Sequence, residues 1–447
     1  MDNTSVHKTG GHGFHLFKLH AKQMDDGYLN KIPIFQFILL SCLFPMWAAA
    51  ASLNDILITQ FKTIFTLSNF ASAFVQSAFY GGYFVIAIPA SIVIKKTSYK
   101  IAILIGLFFY TAGCMLFFPA STMATYSVFL VALFAIAIGL SFLETSANTY
   151  SSLLGPESSS TLRLNISQTF YPVGAVTGIL LGKYLIFGSG ASLEKQMSGL
   201  SGSARIAFGE QALQKTLLPY KYIIVVLIAA IIIFALTEFP ASKVKSDASA
   251  KGAKITETLK YLLHNKPFKK GIFTQFMYIG MQTAVWSFTI RLAMSLNTSI
   301  NERDASTFMI FSYIAFFLGK VAANFLMNKF GSSKILLWFS IIGSIALIYI
   351  ILVHNMTAVY AAILVSGLFG PCWATIYAKT LSTVKDKRHT ETAGAIIVMS
   401  IIGGAFIPLV QGLVADWTKS MSYSFIVSLV CFVIVLFYSR NQVKQGN

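Results

Sequence analysis

Long apolar stretches alternate with short polar segments along the chain, from residue 33 to residue 438. A helix needs roughly 20 apolar residues to cross the hydrocarbon core of a bilayer, so each stretch predicts one membrane-spanning helix. Glycine, proline and polar clusters set the bounds of these helices to within about four residues. The predicted spans are 33–58, 69–94, 100–119, 124–153, 163–187, 220–238, 268–295, 305–328, 335–353, 357–380, 391–414 and 420–438. The pattern therefore predicts an all-α membrane protein with twelve transmembrane helices.

The composition supports this interpretation and excludes several classes of protein. The chain is 55% hydrophobic and 11% charged, with a mean hydropathy of +0.69, which is outside the range of soluble globular domains. The first thirty residues lack the apolar core of a cleavable signal peptide, so the first span is expected to be the targeting signal. The sequence contains no phosphate-binding loop, no dinucleotide fingerprint and no paired cysteines. We expect a protein that is not an enzyme, without cofactor, metal or disulfide, and driven by an ion gradient.

The distribution of positive charge predicts the orientation in the membrane. A net charge of +18 could indicate a nucleic-acid partner, but the lysines and arginines lie in the amino-terminal tail and in alternate connections. Cytoplasmic loops retain such residues. We therefore expect both termini in the cytoplasm of a multi-pass inner (plasma) membrane protein that contacts membrane lipid and no nucleic acid.

A basic segment separates six predicted spans from six. The predicted domains are a cytoplasmic tail 1–31, an amino-terminal lobe 32–238, a basic cytoplasmic linker 239–267, a carboxyl-terminal lobe 268–438 and a tail 439–447. The linker is typical of a solvated segment near anionic headgroups. "IVIKKTSYKIAIL" after the second span and "FLMNKFGSSKILL" after the eighth also resemble each other. A repeat about an axis along the membrane normal is typical of major facilitator transporters, which bind substrate at the midplane between their halves.

Two acidic residues lie deep within the predicted spans. They are Asp55 in "WAAAASLNDILITQF" and Glu144 in "IAIGLSFLETSANTYSSLL". A charged side chain at a helix centre costs about 2.5–3.5 kcal/mol on insertion scales, so each acid needs a partner, a hydrated cavity or a proton. Because burial penalises the charged carboxylate, Glu144 fits a proton-coupling role. Asp55 fits a second coupling acid that also binds substrate. The competing interpretations are a structural hydrogen bond for Glu144 and a helix-end acid for Asp55.

Uncharged polar and aromatic residues accompany these acids in the spans. The amides are Asn54, Gln76, Asn148, Asn165, Gln168 and Gln282. The mid-span aromatic residues are Trp47, Tyr83, Tyr171, Trp286 and Trp373. Amides supply donors and acceptors for a polyhydroxylated ligand, and a flat ring covers the apolar face of a pyranose, although each residue alone is equally explained by helix packing. Arg291, Lys320 and Lys379 lie close to predicted span ends, and we expect them to snorkel or to pair with loop groups, without a chemical role.

Several sequence segments resemble one family, in order and through nearly the whole chain. They are "LNDILITQFKTIFTLSNF", "QSAFYGGYF", "FLETSANTYSSLLGPESS", "RLNISQTF", "QTAVWSFTIR" and "IVMSIIGGAFIPLVQG". Their motifs E-T-x-A-N and R-L-N-x-x-Q are specific to the fucose–galactose–glucose:proton symporter branch of the major facilitator superfamily. The resemblance implies two six-helix lobes and inward cotransport of L-fucose, or a related hexose or deoxyhexose, with a proton by alternating access. It also implies that Asp55 and Glu144 are the essential acids and that Gln168 lines the sugar pocket.

Departures from this family bear on which sugar is carried. Fucose-carrying members have asparagine at the positions of Ser52 and Tyr171, tyrosine at Trp373 and proline at Thr149. A site that holds hydroxyls by hydrogen bonds discriminates strongly between sugars, so L-fucose is the leading candidate among several. The expected substrate-binding residues are Asp55, Trp47, Ser52, Asn148, Gln168, Tyr171, Gln282, Trp286 and Trp373.

Two other functions stay open from the sequence. One is a transporter of another substrate class, such as a multidrug exporter, for which a more uniformly apolar cavity is expected. The other is a sugar-responsive membrane sensor, for which a longer signalling tail than "SRNQVKQGN" is expected. The favoured prediction is a monomeric symporter whose ligands are a sugar and protons.

Overall fold

The computed structural model describes residues 16–24, 27–66, 69–123, 125–186, 193–242, 253–300 and 302–445. A few side chains within the helices, including those of Asp55 and Gln76, lie outside the described part of the chain. All twelve predicted spans fall on helices, which we number as the first to twelfth membrane helices. We call the first six the first lobe and the last six the second lobe.

The first lobe contains both continuous and interrupted helices. Its membrane helices are Ile34–Ser41 with Leu43–Ile64, Asn69–Lys96, Tyr99–Met123, Tyr126–Leu153, Ser160–Thr169 with Tyr171–Leu181, and Leu218–Leu236. The fifth continues through a π-helical turn at Gly182–Ile186. The first and fifth helices pack closely, because a Cβ added to Gly174 would lie 1.9 Å from the Pro45 carbonyl oxygen. Only glycine permits this contact, which holds Trp47 and Gln168 on neighbouring helices.

The second lobe has a similar arrangement. Its membrane helices are Lys266–Leu296, Glu302–Phe330, Ser332–Leu352, Thr357–Leu368 with Cys372–Leu381, Thr390–Met399 with Gly403–Thr418, and Met421–Ser424 with Ile426–Lys444. A 3₁₀ turn at Ser400–Ile402 joins the two parts of the eleventh helix. The lobes meet where the second helix packs on the eleventh, the fifth on the eighth and tenth, and the fourth on the eleventh.

Within the described residues, eleven helices are long and apolar enough to cross a membrane. The predicted span that is not among them is the seventh, Lys266–Leu296, although it is a continuous helix of 31 residues. Its amino-terminal lysines and its mid-helix glutamines lower its hydropathy. This helix can contain more polar residues than the others because one of its faces lines the cavity described below and is not in contact with lipid.

Three α-helices of the described residues lie outside the predicted spans. Leu193–Ser198 and Gly202–Thr216 precede the sixth membrane helix, and Ile255–His264 lies within the predicted linker. The last of these packs on the second lobe, where Thr258 Oγ1 lies 2.8 Å from His389 Nδ1 and the Tyr261 ring stacks on the same histidine. The carboxyl-terminal part of the predicted solvated linker is therefore a docked helix. The predicted domain bounds stay a prediction.

Candidate functional site

A cavity of about 90 Å³ lies between the two lobes. The side chains that line it from the first lobe are Trp47, Ala51, Phe79, Tyr80, Tyr83, Glu144, Gln168 and Tyr171. Those from the second lobe are Tyr278, Ile279, Gln282, Thr283, Trp286, Tyr313, Phe316, Lys320, Trp373 and Ile401. Most of these side chains are buried, so the cavity is largely closed to solvent.

Glu144 lies on the cavity wall in the middle of the fourth helix. Its side chain is 7% exposed, and the buried Tyr83 side chain of the second helix lines the cavity beside it. The fourth and second helices are joined where Ser141 Oγ donates to the Tyr83 carbonyl oxygen at 3.2 Å. Among the described residues, no lysine or arginine forms an ion pair with Glu144. The carboxyl group is therefore buried on the cavity wall with no cationic partner in this part of the chain.

Asn148 connects Glu144 to the fifth helix from behind the cavity wall. Its side-chain amide donates to the Glu144 carbonyl oxygen at 3.0 Å, and its side-chain oxygen accepts from Gln168 Nε2 at 2.8 Å. Asn148 is fully buried and does not line the cavity. It therefore orients Gln168, which does line it.

Arg163, the first residue of the R-L-N-x-x-Q motif, holds the fourth and fifth helices together. Its buried guanidinium donates to the carbonyl oxygens of Ser151, Ser152, Gly155 and Pro156 and to the Ser159 hydroxyl. These oxygens lie at and beyond the carboxyl end of the fourth helix, where a cation is favoured by the helix dipole and by unpaired carbonyls. The motif thereby fixes Gln168 beside Asn148. The sequence indicated the motif but not this role of its arginine.

Half of the side chains that the second lobe contributes to the cavity wall are aromatic. The Trp286 and Tyr313 rings lie 4.4 Å apart, and Phe316 packs edge-on against Trp286 at 5.4 Å. Trp286 Nε1 donates to Ser366 Oγ at 3.2 Å, which fixes the orientation of the indole. The buried indole N–H of Trp373 has no acceptor among the described residues, and the same holds for Trp47 across the cavity.

Seven of the predicted site residues lie together on the cavity wall. They are Trp47, Glu144, Gln168, Tyr171, Gln282, Trp286 and Trp373. Ser52 and Asn148 are buried but do not line it. Ser52 lies where the first helix meets the fifth, since a Cβ added to Gly178 would lie 2.1 Å from Ser52 Oγ. Asp55 is on the first helix, and its side chain lies outside the described part of the chain.

The expectation that Lys320 snorkels at a span end is wrong. Its side chain is 3% exposed and lines the cavity. The eighth helix continues to Phe330, ten residues or about 15 Å beyond Lys320, so the interface is out of reach. Sequence reasoning also missed Tyr80, Tyr278 and Tyr313 as cavity residues, because tyrosines in apolar helices are usually part of the packing.

Comparison with known proteins gives the class to which this fold and cavity belong. The sequence profile of the Major Facilitator Superfamily matches residues 36–301 and 272–447. The chain belongs to this superfamily, and it is therefore a multi-pass membrane protein of a transporter family and not an enzyme. The predicted major facilitator fold is confirmed.

Individual relatives narrow the class further. The chain is 33% identical to the L-fucose-proton symporter of Escherichia coli (strain K12) over 416 residues, covering 93% of this chain and 94% of the relative. It is 29% identical to a glucose/galactose transporter of Brucella abortus biovar 1 (strain 9-941), covering 90% and 93%. A crystal structure of the transporter FucP in the outward conformation superposes with a TM-score of 0.80 at 34% identity, covering 91% of this chain and 98% of that chain. The resemblance stated from the sequence motifs is thereby confirmed.

Proposed function

We propose that this protein is a proton-coupled sugar symporter that takes up L-fucose, or a related hexose or deoxyhexose, by alternating access. The relatives named above, an L-fucose-proton symporter and a glucose/galactose transporter, support the substrate class. The observation that carries the proposal is a buried carboxyl group, Glu144, which has no ionic partner among the described residues and lies on a cavity lined by amides and aromatic rings from both lobes.

Glu144 is the proton-coupling group in this proposal. A carboxylate without a cationic partner is strongly disfavoured in a closed, water-poor cavity, whereas the neutral acid is tolerated. When one lobe swings away, water enters and the ionised form becomes favourable again. The Tyr83 hydroxyl suits both states, because it donates to a carboxylate and accepts from a carboxylic acid. A proton taken up on one side of the membrane is therefore released on the other.

The sugar is bound by the amides and rings around Glu144. Gln168 and Gln282, one from each lobe, offer donors and acceptors to ring hydroxyls. Trp286, Trp373 and Tyr171 cover the apolar face of the pyranose. Asp55 of the first helix binds hydroxyls and shares in coupling, while Asn148 and Ser52 set the positions of neighbouring groups from behind the cavity.

The transport cycle follows from two lobes and one shared cavity. Sugar and proton bind from outside, the lobes rock about the site, and both ligands leave inward. The loops that carry lysine and arginine support cytoplasmic termini, and the inner membrane is part of the proposal. A single chain contains the whole cavity, so a monomer is sufficient for transport.

Transport into proteoliposomes that contain a pH-sensitive dye tests the proposal. A panel of L-fucose, D-galactose, D-glucose and other hexoses and deoxyhexoses is added outside, and proton and labelled-sugar uptake are recorded together. We expect at least one sugar to drive proton uptake and to accumulate when a pH gradient, acidic outside, is imposed. Binding without proton or sugar movement would indicate a sensor. Proton movement driven only by hydrophobic cations would indicate an exporter.

A further inference from the structure

Lys320 is the one cation on the wall of the central cavity among the residues that the structure describes. No oxygen or nitrogen of these residues accepts a hydrogen bond from its ammonium group, and no acidic side chain forms an ion pair with it. The Phe316 ring lies beside it, with its centroid 4.6 Å from Nζ, and the Cys372 thiol is also nearby. A ring face and a thiol are weak acceptors, so this buried ammonium ion lacks the strong acceptors that normally compensate for lost water.

The backbone of Lys320 is held against the tenth helix. A Cβ added to Gly319 would lie 1.8 Å from the Gly367 carbonyl oxygen, and one added to Gly370 would lie 2.7 Å from the Lys320 backbone nitrogen. Glycine at these positions lets the eighth and tenth helices touch through their backbones. This close packing fixes the position from which the lysine side chain extends.

The surroundings of the ammonium group are those of a sugar site. Phe316 links Trp286 of the second lobe to Tyr171 of the first, with ring centroids 5.4 and 6.5 Å away. Phe316, the middle ring of this group of three, lies beside a group with three N–H donors. Rings cover the C–H face of a pyranose, while a strong donor reaches the hydroxyl oxygens at its edge.

We propose that Lys320 is a substrate-binding residue of the second lobe, which donates hydrogen bonds to hydroxyl oxygens of a neutral sugar. The inference rests on the proposed sugar transport and adds the group that holds the sugar opposite Glu144.

Equilibrium binding of the sugar selected by the transport panel tests the inference. The variants are Lys320→Met, which keeps the stem without the charge, and Lys320→Arg, which restores a cation. Lys379→Met is the matched control, since Lys379 lies on the tenth helix and does not line the cavity. We expect Lys320→Met to raise the sugar Kd about 10-fold or more, the usual value of a hydrogen bond to a charged group. Lys320→Arg should recover most of the affinity, and Lys379→Met should bind like the wild type.

Modification of the unaltered protein provides a measurement that does not depend on whether a variant folds. Reductive methylation is followed at individual lysines by mass spectrometry, with and without saturating sugar. We expect the sugar to slow methylation of Lys320 several-fold and to leave Lys379 unchanged. An unchanged rate at Lys320 would overturn the inference.

The outcomes separate this inference from the proposed function. If the wild type binds no sugar of the panel, both are wrong. If it binds and transports sugar while Lys320→Met keeps the wild-type Kd, only the role of Lys320 is overturned. If a hexuronate binds the wild type more tightly than the neutral sugar and loses this preference in Lys320→Met, the ammonium group binds a carboxylate and the neutral-sugar assignment is wrong.

Discussion

The two walls of the central cavity differ in chemistry. The first lobe contributes an acid, Glu144, and an amide, Gln168, which Asn148 holds by a hydrogen bond. The second lobe contributes a cation, Lys320, and an amide, Gln282. Each wall also carries an indole N–H without an acceptor among the described residues, that of Trp47 on the first lobe and that of Trp373 on the second.

In the proposed mechanism the coupling acids belong to the first lobe, whereas both lobes contact the sugar. A hydroxyl can donate to a carboxylate and accept from a carboxylic acid, so Tyr83 is suited to a neighbour that exchanges protons. The rings of Trp286, Tyr313 and Phe316 line the cavity on the second lobe. We therefore expect substitution of Glu144 to impair coupling more than sugar exchange, and substitution of a second-lobe ring to impair binding more than coupling.

The largest effect is expected from Glu144→Gln, which removes the titrating group and keeps its shape. A glutamine cannot release a proton, so sugar-driven proton uptake should fall to background. Exchange of labelled sugar across the membrane should partly persist, because the second wall is unchanged. Proteoliposomes with an internal pH dye measure the first quantity and counterflow of labelled sugar the second. Glu210→Gln, the same change at an exposed acid outside the central cavity, is the control. Full proton uptake in Glu144→Gln would contradict the coupling role.

Asp55→Ala is expected to reduce sugar binding as well as coupling. In the proposal this acid binds sugar as well as sharing in coupling, so its removal should abolish both high-affinity binding and exchange. Equilibrium binding of the transported sugar, together with counterflow, measures the two effects. Wild-type affinity in this variant would remove Asp55 from the site and leave Glu144 as the single functional acid of the first lobe.

Trp286→Ala tests the second wall. Loss of a buried ring that stacks on the sugar should raise the sugar Kd about 10-fold or more, while bound sugar still moves with its proton. The ratio of protons to sugars taken up is therefore expected to stay at the wild-type value. Trp338→Ala is the matched control, because Trp338 is 60% exposed on the ninth helix and does not line the cavity. A changed proton-to-sugar ratio in Trp286→Ala would contradict the expectation that a second-lobe ring acts in binding more than in coupling.

The sequence predicted those features that depend on local signals. The lengths of the apolar stretches predicted every membrane helix. Because acidic residues are rare within membrane spans, the sequence also indicated Glu144 as a candidate functional residue. Features that depend on packing were not predictable. The helices are interrupted at Cys42 and Phe170, which are apolar residues. The hydropathy pattern therefore predicts one continuous helix in each place. Lys320 was misplaced because its distance from the true helix end, and its glycine-packed backbone, appear only when the helices are assembled.

The smallest expected effect concerns a contact between the fourth and tenth helices, on the predicted cytoplasmic side of Glu144. Thr149 Oγ1 lies 3.2 Å from the Tyr377 hydroxyl, joining the fourth helix to the tenth. A Cβ added to Gly394 of the eleventh helix would lie 2.8 Å from the same hydroxyl, so three helices from both lobes meet here. Thr149 is five residues or about 7.5 Å beyond Glu144 toward the predicted cytoplasmic side. Separation of the lobes on that side must break this hydrogen bond.

Tyr377→Phe removes the hydroxyl and should favour opening on the predicted cytoplasmic side. A net hydrogen bond contributes about 0.5–1.5 kcal/mol, so the equilibrium should shift roughly 2- to 12-fold. A maleimide labels a cysteine placed at Ser152, near the carboxyl end of the fourth helix, and its labelling rate reports the opening. Thr149→Val should have the same effect, and the double variant should add little, because both changes remove one bond. Additive effects would show that the two side chains act through separate contacts. The hydrogen bond between Thr149 and Tyr377 would then not be what holds the fourth helix to the tenth.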